Sequence, residues 1–184
     1  CGYRYYAGPL RPAAVAQQAA EMRIDDDASI TFVLDRLEVG VRPQTDAELN
    51  RLFANYSAAG VDAVNPFTYG DWQDPETRST PQRFTVFNLK VKNYTYPKVV
   101  IDPDKVQLVS SNDRRYRALV PLEFAEYFRP YATAYAGNTY KTYQTRKDLF
   151  ARTRYKGDPV FSGQESDGFL VFPVLHPDVH TIRF

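Results

Sequence analysis

The sequence offers few residues with the chemistry needed for catalysis or metal binding. Cys1 is the only cysteine among the 184 residues, and His176 and His180 are the only histidines. The histidines lie in the frame His-Pro-Asp-Val-His. This spacing could bind a metal from one face of a helix, but Pro177 opposes a helix there. The sequence contains no Gly-x-Ser-x-Gly nucleophile elbow, phosphate loop or dinucleotide fingerprint. We therefore predict no catalytic residue, no metal ligand and a non-enzymatic protein.

Cys1 stands directly before Gly2, at a position where a full-length translation product would carry methionine. This N-terminus resembles that of a mature bacterial lipoprotein, in which the signal peptide is cleaved just before a cysteine whose thiol carries a diacylglycerol. The resemblance implies a diacylglycerol and an N-acyl chain, such as palmitate, on Cys1, and no other cofactor. It also implies an extracytoplasmic protein, anchored at the periplasmic face or the outer membrane of a bacterium. The alternative is a chain boundary that falls on a cysteine by chance.

Residues 1–29 are predicted to form a lipidated tether between this anchor and a folded body. The residues that follow the anchor are aromatic and basic: Tyr3, Arg4, Tyr5 and Tyr6. Aromatic rings of this kind partition to the headgroup level of a membrane, and an arginine can contact lipid phosphate. Packing of these rings on protein is an equally good interpretation. Pro9 and Pro12 stiffen the chain, and residues 13–22 are predicted to form a short helix by propensity alone.

The composition favours a mainly β domain. The chain carries 14 Tyr, 12 Phe and 13 Pro, and such a content favours short strands and turns over a helix bundle. The formal net charge is +1, so no overall field draws the protein to nucleic acid. No segment approaches the roughly 20 apolar residues that span a bilayer. We predict one β-sandwich domain over residues 30–184, with helical insertions at about 45–58 and 121–153.

Local patterns place the first elements of this domain. Apolar residues alternate over residues 30–41, with a change of parity at Asp35 and Arg36. This pattern predicts one strand interrupted by a β-bulge. Thr45 and Glu48 match a capping box, which predicts the start of the first helix.

The second part of the sequence alternates strands with a helical region. Residues 61–82 lack periodicity and are predicted to form a long loop. Alternation over residues 83–93 predicts a half-buried antiparallel strand. Two helices are predicted within residues 121–153, and Pro130 should break or kink the first of them. Both faces of residues 168–174 are apolar, which predicts a central strand.

Three segments occur in an order that resembles the immunoglobulin-like β-sandwich of secreted bacterial lipoproteins. They are Leu-Lys-Val-Lys-Asn at 89–93, Phe-Ser-Gly-Gln-Glu at 161–165 and Gly-Phe-Leu-Val-Phe-Pro at 168–173. The resemblance covers residues 83–184, and the predicted helices at 121–153 depart from its pattern. It implies a binding or scaffolding role and supplies no catalytic residues.

Two groups of residues are candidates for contact with a partner or ligand. Trp72, with Tyr69 in the same loop, could stack on a sugar, anchor a partner or cover the edge of the core. The second group interleaves tyrosines with arginines and comprises Tyr143, Arg146, Arg154 and Tyr155. This group could hold an acidic partner or lipid headgroups, or it could form a solvated helix face.

Together these patterns lead to one functional hypothesis and one alternative. The first is a lipid-anchored, non-enzymatic accessory or assembly subunit of a membrane-associated protein complex, because tyrosine and phenylalanine are common at contact surfaces. Its partners would be the membrane, through the lipid anchor, and other protein subunits, but not nucleic acid. The alternative is a surface lipoprotein that binds glycan or peptidoglycan through Trp72 and exposed tyrosines.

Mass spectrometry of the N-terminal peptide tests the predicted anchor. We expect the peptide that begins at Cys1 to carry the mass of a diacylglycerol and an acyl chain, since two or three chains are needed for stable anchoring. A Cys1→Ser variant should lose this mass, because a hydroxyl does not form the thioether. An upstream sequence joined to Cys1, or a free thiol, would contradict both the anchor and the location.

Overall fold

The computed structural model describes residues 7–133 and 139–184. The predicted lipidation site and the predicted membrane-interface residues lie outside this described part of the chain; they are Cys1, Tyr3, Arg4, Tyr5 and Tyr6. None of the described helices combines the length and the hydropathy needed to cross a bilayer.

The described residues form strands and helices in an irregular order along the chain. The strands are β1 (Met22–Ile24), β2 (Ile30–Leu34), β3 (Leu37–Gln44), β4 (Phe84–Asn93), β5 (Lys98–Val99), β6 (Gln107–Ser110), β7 (Arg115–Arg117), β8 (Val160–Phe161), β9 (Gln164–Pro173) and β10 (Ile182–Arg183). The α-helices are α1 (Asp46–Leu52), α2 (Ala54–Ser57), α3 (Pro121–Thr133) and α4 (Thr139–Thr153).

The strands assemble into antiparallel sheets, which confirms a mainly β protein with several helices. The largest sheet has the order β1-β2-β3-β4-β9, and a three-stranded sheet has the order β10-β6-β7. Strands β5 and β8 form a separate pair. Strand β4 pairs with β9 along its full length, from Phe84 opposite Pro173 to Asn93 opposite Gln164.

The five-stranded sheet is covered on both faces. Side chains alternate along a strand, so Phe84 and Val86 of β4 join one apolar cluster while Phe87 and Leu89 join another. The first, the helix-side cluster, packs the sheet against α1, α3 and α4. The second, the sheet-side cluster, packs it against Leu108 of β6 and the chain around β8. Both faces of β4 are buried over residues 84–87. From Asn88 onward the strand is half-buried, as predicted: Lys90 is exposed, while Leu89 and Val91 on the opposite face are buried.

The change of parity at Asp35 and Arg36 marks a turn, so the predicted β-bulge is wrong. Leu34 at the end of β2 pairs with Leu37 at the start of β3. A two-residue hairpin loop keeps the apolar residues of both strands on one face. The parity change has the same appearance in the sequence whether the chain bulges or reverses.

The first predicted helix begins where the capping box placed it. The Thr45 side chain accepts a hydrogen bond from the backbone N–H of Glu48, and the Glu48 carboxylate accepts one from the backbone N–H of Thr45. The predicted single helix is divided at Phe53, whose backbone leaves the helical region. This break turns Leu49 and Phe53 into the helix-side cluster and leaves Leu52 exposed.

Part of the segment predicted as a tether belongs to the folded body. Met22–Ile24 forms β1 and pairs with β2, and Ala7 donates a backbone hydrogen bond to Leu175 at 3.1 Å. Leu10 packs on the sheet-side cluster. The predicted helix over residues 13–22 is reduced to one short 3-10 turn, Val15–Gln17. From Ala7 to Ile24 the chain therefore contacts the folded body instead of forming the predicted extended tether.

Strand β9 was predicted to be central, but it is the last strand of the five-stranded sheet. Its free edge is covered by other parts of the chain: the backbone N–H groups of Leu119 and Tyr155 donate to Val171 and Phe169. Such cover protects a strand edge from pairing with another chain. The prediction that both faces of this strand are apolar and buried is confirmed: Phe169 and Val171 join the helix-side cluster, and Leu170 and Phe172 join the sheet-side cluster.

The predicted helical insertion is a helix pair. Pro130 lies within α3, which continues to Thr133, so the expected break at this residue does not occur. The two helices pack through Phe124 and Phe150, whose rings are stacked with centroids 4.0 Å apart. Truncating an aromatic side chain at such a position typically costs about 3–5 kcal/mol.

The close approach of β9 to the chain after α4 leads to a stability prediction. A Cβ atom at Gly168 would lie 2.6 Å from the backbone N and Cα of Tyr155. Gly168→Ala should therefore destabilise the protein by about 1–3 kcal/mol, as over-packing does, and denaturant unfolding would measure it. Gly40→Ala in β3 is the matched control, because its Cβ would lie 3.2 Å from the Thr31 hydroxyl oxygen and no nearer than 3.9 Å to the backbone of β4. Equal losses in both variants would contradict the packing described here.

Candidate functional site

The long loop over residues 61–82 is held against α1 and α2 by buried polar groups. The Asn65 side chain donates to the Ser57 hydroxyl at 2.9 Å and accepts from the backbone N–H of Phe67. Gly70 adopts a φ of +64°, and a Cβ there would lie 2.4 Å from the Ser57 carbonyl oxygen. The loop therefore has a defined path, which places Tyr69 and Trp72 beside the helix-side cluster.

Two buried arginines, Arg83 and Arg146, lie next to this loop and are called the arginine pair below. Arg83 directly precedes β4, and Arg146 lies on α4. Their exposed fractions are 8% and 9%. The Arg83 guanidinium carbon lies 3.9 Å from the ring centroid of Tyr69 and 5.2 Å from that of Phe128. The Arg146 guanidinium carbon lies 4.7 Å from the same Phe128 ring, so one aromatic ring contacts both cations.

The arginine pair is only partly satisfied by protein acceptors. Arg146 donates to the Ala63 carbonyl at 3.0 Å, and Arg83 donates to the Asn65 carbonyl at 3.5 Å. The Nε atoms of both arginines are buried and have no hydrogen-bond partner among the residues that the structure describes.

No carboxylate forms an ion pair with either arginine among the described residues. The remaining segments, 1–6 and 134–138, contain neither Asp nor Glu. Neither guanidinium group therefore forms a direct ion pair with a carboxylate of the described residues, although Arg83 attracts Asp46 at longer range.

Electrostatics confirm that the two cations influence each other. Burial, and to a smaller extent the charge of Arg83, lower the pKa of Arg146 to about 10. Tyr131 and Tyr127 lie near enough to oppose this lowering. Burial raises the pKa of Tyr127, and the neighbouring Tyr69 adds to the increase. The Tyr127 phenol therefore keeps its proton and remains a hydrogen-bond donor.

A cavity of about 170 Å³ lies close to Arg83, at the end of the sheet where β3 leads into α1. Asp46 and Thr85 contribute polar groups to its wall, together with apolar surface from Leu10 and Val86. Burial raises the pKa of Asp46 to about 6, and the positive charge of Arg83 opposes the increase. The Thr85 hydroxyl is buried and has no hydrogen-bond partner.

The structure brings three of the predicted contact residues into one region. Tyr69 and Trp72 are half-buried, and their ring centroids lie 5.8 Å apart. Tyr69 contacts Arg83, and both Arg83 and Arg146 contact the ring of Phe128. Residues from the loop and from α4, proposed as separate groups from the sequence, therefore belong to one site.

The other predicted contact residues lie elsewhere. Tyr143 packs at the edge of the helix-side cluster, with Lys147 over its ring at 5.0 Å. Arg154 forms an ion pair with Asp104 at 3.3 Å. Tyr155 is only 1% exposed and belongs to the sheet-side cluster. The prediction that Tyr155 contacts a partner is corrected: the chain after α4 turns inward to cover β9, and this turn buries the ring.

Sequence reasoning missed Arg83, Asp46, Tyr127 and Phe128. No local signal sets these residues apart, because each lies within an ordinary strand or helix pattern. The one available hint was an arginine directly before the strand start Phe-Thr-Val-Phe, since charged residues at core positions are rarely buried without a partner.

The histidines and acidic residues form no comparable site. The His176 ring nitrogen Nδ1 lies 2.7 Å from Asp178, which also accepts hydrogen bonds from Arg114. Among the described residues, no three His, Cys, Asp or Glu side chains are grouped so that they could hold a metal ion.

Comparison with known proteins gives no match: no protein-family model fits the chain, and no curated protein or solved structure is significantly similar.

The environment of Asp46 leads to a prediction about stability and pH. Its pKa of about 6 in the folded state lies above that of an unfolded aspartate, so the folded state binds more protons between these values. Stability from this group is present at low pH and is lost as the pH rises through about 6. Asp46→Asn should remove this loss and raise the free energy of unfolding at pH 8, relative to wild type, by up to about 3 kcal/mol.

Urea unfolding from pH 4 to pH 8 would measure this difference. Asp148→Asn, which neutralises an exposed aspartate of α4, is the control and should follow the wild-type curve. The interpretation fails if the Asp46→Asn and wild-type curves run parallel over this range.

Proposed function

We propose that this chain is a non-enzymatic, lipid-anchored accessory or assembly subunit of a membrane-associated protein complex outside the bacterial cytoplasm. Its contact surface would be the outer face of α3 and α4. The sandwich of the five-stranded sheet and the three-stranded sheet, immunoglobulin-like in this proposal, would serve as the scaffold. The packing of Leu108 in β6 against the sheet-side cluster supports that arrangement.

The observation that carries the proposal is the distribution of aromatic side chains on the helix pair. The inner face of α3 and α4 is apolar and buried on the sheet. The outer face still presents large rings: Tyr131 is 43% exposed and Tyr140 is 65% exposed. Tyrosine is enriched at the centres of protein interfaces, where its ring supplies contact area and its hydroxyl a hydrogen bond.

Charge indicates the kind of partner. Helix α4 carries four basic residues, Lys141, Arg146, Lys147 and Arg152, and one acidic residue, Asp148. Lys141 and Arg152 are exposed. A partner protein with an acidic surface around apolar pockets would complement this face, and the charges would steer its approach.

Migration of the membrane-extracted protein tests this proposal. After mild detergent extraction, the wild-type chain should migrate in native gels with a larger assembly. Replacing Tyr131 and Tyr140 by alanine should release it to the size of the free chain, because truncation of an interface tyrosine often costs more than about 2 kcal/mol of binding.

A matched control replaces Tyr94 and Tyr96 by alanine. These tyrosines are 49% and 37% exposed, but they lie in the turn after β4. The control should migrate as wild type does. A wild-type chain that migrates alone, or a Tyr131/Tyr140 variant that stays with the assembly, would refute the proposal.

The Tyr69–Trp72 ring pair supports a second candidate function, which is glycan or peptidoglycan binding. Two tilted, half-exposed rings 5.8 Å apart could stack on the apolar face of a sugar. Trp72 is the only tryptophan, so its fluorescence reports on this place alone. Soluble peptidoglycan fragments should then change the emission of Trp72 in a saturable way. A constant emission at all concentrations would exclude this function.

A further inference from the structure

The arginine pair places two buried positive charges side by side, with few acceptors around them. Both guanidinium groups contact the ring of Phe128, and both Nε atoms are buried without an acceptor. We infer that the arginine pair binds an oxyanion, the carboxylate or phosphate group of a ligand, between these two guanidinium groups. This site differs from the α3–α4 contact surface, and its test does not depend on a protein partner.

The first argument is the cost of burying two like charges. Arginine is almost never fully buried unless it is paired, and an unpaired buried charge is strongly unfavourable. The aromatic contacts of Tyr69 and Phe128 offset only part of this cost, because a cation–π contact is weaker than the charge pairing that a buried cation loses. Two backbone carbonyls complete the shell of acceptors, and one of them lies at 3.5 Å. A bound anion would supply the missing negative charge.

The second argument is the set of groups around the pair. The rings of Tyr127 and Tyr131 lie beside Phe128, with centroids 4.9 and 6.0 Å from its ring, and protonated phenols, like guanidinium groups, donate hydrogen bonds. Planar guanidinium groups match the oxygens of carboxylate and phosphate and can donate two parallel hydrogen bonds. Tyr127 and Tyr131 are partly exposed, so a ligand would approach the pair past these two rings.

Asp46 does not take the place of the anion. Its carboxylate is attracted by Arg83, but the two do not form an ion pair within 4 Å among the pairs of the described chain. It lies in the wall of the cavity where β3 leads into α1.

A purely structural role accounts for less of the arrangement. Arg146 and Arg83 hold the carbonyls of Ala63 and Asn65, and these bonds help to fix the loop over residues 61–82. That role uses one terminal nitrogen of each guanidinium. This structural role leaves both Nε atoms without a partner among the described residues. It also does not explain why two cations lie beside the same ring.

Thermal unfolding in different anions tests the inference. The melting temperature of the wild-type protein is measured in sodium phosphate, sodium succinate and sodium chloride at matched ionic strength. Phosphate also stabilises proteins in general by exclusion from their surface, an effect that does not saturate. We expect a saturable rise of about 3 °C or more above chloride for at least one oxyanion, because ligand binding to the folded state stabilises it.

Arg146→Met separates ligand binding from the structural role. In chloride, this variant should melt at the same temperature as wild type or higher, since an apolar side chain replaces an unpaired buried charge. It should lose the saturable rise in oxyanion. Arg152→Met, at an exposed position of the same helix, is the control and should keep that rise.

Arg146→Lys is the second variant, in case the methionine does not fold. It keeps the charge but loses the planar fork, and should require at least tenfold more oxyanion for the same rise. A response to phosphate alone identifies a phosphate site, and a response to succinate alone identifies a carboxylate site. A response to both supports an oxyanion site of either kind.

The inference is overturned if no oxyanion exceeds chloride in the wild type, or if Arg146→Met keeps the full saturable response. Either result would leave the proposed function standing, because the native-gel experiment measures association with a larger assembly and not the binding of an anion.

Discussion

Strand β4 is paired on both edges over most of its length and covered on both faces over residues 84–87, and the rest of the fold depends on this double burial. Its backbone is satisfied by β3 and β9, while Phe84 and Phe87 point into opposite clusters. A strand in this position must be apolar on both sides. The helices and the small sheets therefore each have a face to cover, and the chain forms layers on either side of one central strand.

The same constraint creates the arginine pair. Arg83 is the residue before β4, so its backbone lies at the edge of the buried layer and its side chain extends along the helix-side cluster. Aromatic rings from α3 and from the loop surround the guanidinium, and Arg146 approaches from α4. The site is thus assembled from three segments that meet at one end of a rigid strand. Rigid support of this kind favours ligand binding, since the donors are already in position.

The helix pair has a buried inner surface and an exposed outer surface. Phe124 and Phe150 stack on each other and close the helix-side cluster. Tyr140 is largely exposed, and Tyr131 is partly exposed at the edge of this cluster beside Phe128. The stability of the layer therefore comes from the inner face, and the outer face is available for contacts with other molecules. The high aromatic content of the sequence thus includes both buried core rings and exposed surface rings.

Local patterns in the sequence determined the elements whose causes lie within a few residues. The capping box of Thr45 and Glu48 placed the start of α1, and alternation over residues 83–93 identified β4. Both the helical region at 121–153 and the mainly β class also followed from periodicity and composition. The parity change at Asp35 was read from the same pattern, but a bulge and a hairpin share that pattern, and the sequence could not separate them.

Tertiary structure decided which residues meet and which are buried. Arg83 and Arg146 are more than 60 positions apart, and their proximity depends on how α4 packs on the sheet. Tyr155 resembled a contact residue beside Arg154, yet the turn after α4 buries it against β9. The physical reason is that propensity and capping act between neighbours in the chain. Burial and the charge environment are instead set by the packing of distant segments, which no local pattern encodes.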